Sequence, residues 1–134
     1  MELKKSYRGF VLWLLGYTAA MLSLSFLSVE DGWLAARLLC MLTVLAMAAL
    51  MWIIYRTEYV YWFNGTEYEE AVAAGSVRRK AFARRHLMRF AAFAAAYLLL
   101  SLVLQLLGCP GWVDLIVVGL GLVAVAISTN QIKL

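Results

Sequence analysis

One proline, one histidine and two cysteines in 134 residues leave this chain little of what most functional motifs are made from. A single proline and a charged fraction of only 15% exclude a disordered or linker-rich chain. Cys40 lies in an apolar run and Cys109 in the short loop "GCPG", so a disulfide framework is excluded and two free thiols are expected. The lone histidine, His86, has no carboxylate pair, metal triad or glycine-rich phosphate loop to work with. The expectation is therefore a non-enzyme, with no catalytic residue, no metal and no cofactor.

What the chain does have is apolar surface. Hydrophobic residues make up 65% of it and the mean hydropathy is +0.83, against about 45–50% apolar in an ordinary soluble domain. A soluble fold has no way to hide so much; a bilayer does. Four stretches approach the roughly 20 apolar residues that a hydrocarbon core requires: about 10–28, 33–55, 87–107 and 112–129. Helix is the state expected for each, because an isolated strand in lipid leaves its backbone unpaired. The expected fold is all-α: a polytopic membrane protein, 1–134, forming an antiparallel four-transmembrane-helix bundle. Its first span is expected to be retained as a signal anchor, since no small-residue cleavage site precedes "VEDG".

Orientation follows from the cations. Lys4, Lys5 and Arg8 precede the first span, and Lys133 follows the fourth. Arg56, Arg78, Arg79, Lys80, Arg84 and Arg85 lie between the second and third, with Arg89 at the entry of the third, while "VEDG" and "GCPG" carry none. The positive-inside rule then places both termini and the segment of about 56–86 in the cytoplasm. On that topology the sequon at Asn64–Thr66 reads as a turn rather than a glycosylation site. Within the segment, Thr66 and Glu69 fit a capping box opening a short helix, "EYEEAVAA", that Gly75 closes. Ser76 is expected to cap a second helix running into the third span, making a cytoplasmic helical hairpin between spans 2 and 3.

Two constellations stand out. An ionisable residue within a span is a functional-site hypothesis by default. Arg37 and Asp114 both descend from the outer face, and Gln105 rises to the same level, so these three form a candidate outer-mouth polar cluster. The competing reading is an ion pair between helices. The second constellation is "SVRRKAFARRHLMRF", Ser76–Phe90. On a helix, Arg78, Arg85 and Arg89 fall in one stripe with His86 beside it. These four are candidate contacts for anionic lipid head groups or a partner; Glu67, Glu69 and Glu70 are alternative internal partners. Nucleic acid is excluded by the placement of the charges at a membrane surface. The hydroxyls of Tyr17, Thr18, Thr43, Tyr97 and Ser101 fall at mid-depth, where such groups bond backbone or a neighbouring helix.

The stretch "YWFNGTEYEEAVAAGSVRRKAFARRHLMRF", Tyr61–Phe90, resembles a segment of small uncharacterised bacterial four-span integral membrane proteins. The resemblance implies a bacterial cytoplasmic (inner) membrane and carries no functional residue. Two function classes follow from the sequence. The first is an accessory or regulatory membrane protein presenting its cytoplasmic hairpin to a partner. The second is a small homo-oligomeric transporter or channel for a small solute or ion.

Overall fold

Helix begins at Arg8 and, with few interruptions, fills the chain. A computed structural model describes residues 2–27, 30–63 and 65–134. Among these, α1 spans Arg8–Phe26, α2 Gly32–Thr57, α3 Tyr68–Leu106 and α4 Trp112–Thr129, with a 3-10 turn at Val60–Trp62 and no strand. All four α-helices are long and apolar enough to cross a membrane. Ser28 and Asn64, which the sequence puts at the end of the first span and in a turn, lie outside the described residues.

Each boundary has a local cause. Asp31 caps α2, its carboxylate accepting from the Trp33 amide at 3.0 Å. α3 opens on a capping box formed by Glu67 and Glu70, one residue beyond the expected Thr66–Glu69 pair. A carboxylate at the cap position accepts the same orphan amide that a hydroxyl does, so the signal is equivalent and the register moves by one. Gly75, at φ 75°, bends α3 where the sequence places a break, and the longer arm continues unbroken to Leu106. α3 ends in a Schellman motif: Gly108 at φ 72° donates to Gln105 O (3.1 Å), and Cys109 donates to Leu104 O (2.9 Å). That turn reverses the chain into α4.

α2 packs against each of the other helices, and α3 packs against α4. α1 contributes no buried residue and is fastened to α2 by a few directed contacts. Trp13 Nε1 donates to Ala46 O at 2.9 Å, and Tyr17 and Thr43 share a hydrogen bond of 2.8 Å. Two apolar clusters form the interior. One joins Cys40, Val44, Ala94, Tyr97 and Val118 across α2, α3 and α4. The other gathers Leu50, Met51 and Ile54 with Val60, Tyr61, Ala71, Phe82, Phe90 and Ile132.

This second cluster draws both chain tails to one end of the molecule. The Tyr61 hydroxyl donates to Ser6 O (2.8 Å), Trp62 Nε1 to Ser6 O (2.9 Å) and the Tyr68 hydroxyl to Leu3 O (2.6 Å). At the opposite, loop end, α2 and α4 begin almost in contact: a Cβ on Gly111 would run into the Trp33 backbone carbonyl. Backbone gives way less readily than a side chain, so Gly111→Ala is expected to cost about 1–3 kcal/mol. Unfolding in mixed detergent micelles checks this; a wild-type midpoint for the variant would show that the close approach does not matter.

Candidate functional site

At the loop end three helices converge on one carboxylate. Arg37 lies one helical turn, about 6 Å, inside Trp33 on α2, and Asp114 is the third residue of α4. On α3, Tyr97, Ser101 and Gln105 recur every fourth residue and so share a face. Arg37 is 4% exposed and Asp114 is fully buried. Asp114 Oδ1 accepts from Arg37 Nε at 3.0 Å and forms a salt bridge of 3.0 Å with Nη2. Asp114 Oδ2 accepts from the Tyr97 hydroxyl (2.8 Å) and from Ser101 Oγ (2.6 Å). The remaining guanidinium donors go to Gln105 Oε1 and to the Cys109 carbonyl, the latter at 2.8 Å.

The three residues of the sequence-derived cluster are thus brought together. Their chemistry is that of a closed network. Both carboxylate oxygens are doubly engaged and every guanidinium nitrogen has an acceptor. No buried side-chain nitrogen or oxygen among the described residues lacks a partner. A carboxylate so occupied has no lone pair left to take a proton or ligate an ion without breaking an existing bond. What the network does is fasten α2, α3, α4 and the Cys109 loop at one level.

A second buried pair, absent from the sequence reading, sits at the tail end. Glu58 follows α2 at φ 62°, an uncommon left-handed position for a residue other than glycine, and is 2% exposed. Its Oε1 accepts from Ser76 Oγ (2.7 Å), and its Oε2 accepts from Arg79 Nε (3.0 Å) and lies 2.9 Å from Nη2. Arg79 Nη1 donates to Ala71 O at 2.9 Å, and Lys80 stands 3.7 Å from Oε1. Ala71 precedes the Gly75 bend, whereas Ser76 and Arg79 follow it. Glu58 therefore holds both arms of α3 against the end of α2. Burial pushes the Glu58 carboxyl up, but hydrogen bonds from Ser76 and Arg79 and the charges of Arg79 and Lys80 outweigh it, leaving it below its ordinary value.

Ser76, expected as a helix cap, directs its hydroxyl to Glu58 instead. The acidic residues of the short arm do not supply the ion-pair partner either: Glu67 and Glu70 form the capping box, and Arg79 takes Glu58.

The basic stripe divides. Arg78, Arg85 and Arg89 are exposed, Arg89 donating to the Ser128 carbonyl on α4. His86 departs from the expectation of a surface contact. It is 2% exposed, with ring centroids 4.3 Å from Phe82 and 5.5 Å from Phe63. Its Nδ1 lies 3.0 Å from the Phe82 carbonyl, which can only accept, so Nδ1 carries the proton. The aromatic turn folds back over α3 and covers this ring, which withdraws it from lipid and partner alike.

The tail end also carries an open cleft of about 640 Å³ between the α3 bend and the residues after α4. Comparison with protein-family models, curated proteins and solved structures returns no match, so function has to be argued from the geometry.

Proposed function

We propose that this chain is a non-enzymatic integral membrane accessory or regulatory protein of a bacterial cytoplasmic membrane. In this reading the helices form an antiparallel bundle with both termini cytoplasmic. The tail end is the cytoplasmic unit offered to a partner protein, and anionic head groups of the bilayer surround its cations. One observation carries the reading: the tail end is built as a braced platform. The aromatic turn, the N-terminal residues, Ile132 and both arms of α3 are locked together there. Two valines nevertheless stand out on either side of the bend, Val72 at 49% and Val77 at 84% exposed. Apolar side chains held outward on a rigid polar unit are what a partner surface requires.

The alternative, a small homo-oligomeric transporter or channel, would use Arg37, Gln105 and Asp114 at its outer mouth. That reading is disfavoured because those groups already satisfy one another.

The test is Val72→Asp with Val77→Asp, on exposed positions whose change leaves the core intact. The double variant is expected to fold as wild type and to lose at least about tenfold in affinity for its co-purifying partner. Undiminished partner recovery, or a solute flux in liposomes abolished by Asp114→Asn in a folded protein, would move the case to the transporter.

A further inference from the structure

The cleft at the tail end combines features that the platform reading does not use. Its wall comes from separate parts of the chain: Thr66 before α3, Arg78 and Phe82 beyond the bend, and Asn130, Ile132 and Lys133 after α4. Arg78 and Lys133 are exposed, and neither has an ion-pair partner among the described residues. Arg79, by contrast, is buried and engaged with Glu58 and Ala71. Glu70, also in the wall, accepts from the Glu67 amide at 3.4 Å in the capping box at the start of α3. Phe82 and Ile132, at 4% and 7% exposed, give the cleft an apolar floor. A volume of about 640 Å³ falls in the range of small-molecule sites, roughly 300–1,000 Å³.

We propose that this cleft binds a phosphate-bearing anion, held between Arg78 and Lys133 with the Thr66 hydroxyl and the Asn130 amide as neutral donors. A guanidinium matches phosphate oxygens with a planar fork, and a lysine adds a compact charge. The floor of Phe82 and Ile132 accommodates the organic group esterified to the phosphate, which separates this site from a surface that merely attracts ions. The ligand is either the head group of an anionic phospholipid or a soluble phosphate ester. The inference deepens the lipid contact proposed above and rests on it only for the first source.

The experiment uses the full chain in phosphatidylcholine nanodiscs, in two arms. In one, phosphatidylglycerol is included and retained lipid is counted by native mass spectrometry. In the other, glycerol phosphate is titrated by calorimetry. Each arm compares wild type with Arg78→Gln/Lys133→Gln and with Arg56→Gln/Arg84→Gln, whose exposed cations lie outside the cleft.

The expected result is binding in at least one arm, weakened at least about tenfold by the cleft pair and within about twofold of wild type for the control pair. Binding in the lipid arm alone identifies a head group; binding in the soluble arm identifies a free phosphate ester. Equal weakening by both pairs would mean diffuse surface charge and overturn the proposal, as would binding in neither arm. Because the soluble arm can also be read in detergent, the cleft and the membrane reading fail separately.

Discussion

Asp114→Ala is expected to destabilise the protein by about 3–5 kcal/mol, the cost of leaving a buried charge without its partner. Arg37, 4% exposed, would keep only Gln105 and the Cys109 carbonyl, and the hydroxyls of Tyr97 and Ser101 would lose their common acceptor. Asp114→Asn keeps the volume but not the charge and should fall nearly as far. The informative control is Arg37→Met combined with Asp114→Leu. Replacing both ions with apolar groups of similar size is often close to neutral, so the double variant should recover much of the loss. Unfolding curves in mixed micelles for the four proteins decide the matter. A double variant no better than Asp114→Ala would mean that Asp114 matters for something other than its pairing with Arg37.

The second large effect is expected at Glu58. Glu58→Ala strands Arg79, which is 3% exposed, and frees both arms of α3 from the end of α2. A loss of about 3–5 kcal/mol is again expected, but concentrated at the tail end. Amide exchange should rise over residues 68–79 and remain at wild-type rates around Tyr97. The pairing also has a pH signature. The folded Glu58 carboxyl is held below its ordinary value, so its contribution is fully present above the unfolded carboxylate range. It is then lost as pH falls through the lower, folded value. Protection of residues 68–79 should therefore decline with acidification in wild type and be low and independent of pH over that interval in Glu58→Gln. Parallel curves for the two proteins would remove Glu58 from the account.

The two buried pairs differ in how visible they were beforehand. Arg37, Asp114 and Gln105 could be matched in level because each belongs to an apolar run whose length fixes its depth. Gly75 could be read as a break because a glycine between a capped short helix and a second helical pattern has few other uses. Tyr97 and Ser101 bond a neighbouring helix, as hydroxyls at that level are expected to, but the sequence does not name Asp114 as their common acceptor. Residue counting gives the height of the backbone, not where a tyrosine hydroxyl ends. Their spacing from Gln105, four residues at each step, was the unused signal.

The Glu58–Arg79 pair was hidden for a different reason. It depends on a left-handed residue after α2 and on a bend in α3, two backbone features that carry Ser76 and Arg79 to a carboxylate distant in sequence. A helical wheel drawn over Ser76–Phe90 sees only its own helix. For the same reason it put His86 on the surface, whereas Phe63 folds over it from outside that helix.

The most direct test of the central claim is native mass spectrometry on the tagged protein, gently extracted from its own membrane. The account predicts a different protein travelling with it at fixed stoichiometry, and loss of that companion in Val72→Asp/Val77→Asp. A homo-oligomer with no other protein, unchanged by the two substitutions, would contradict it.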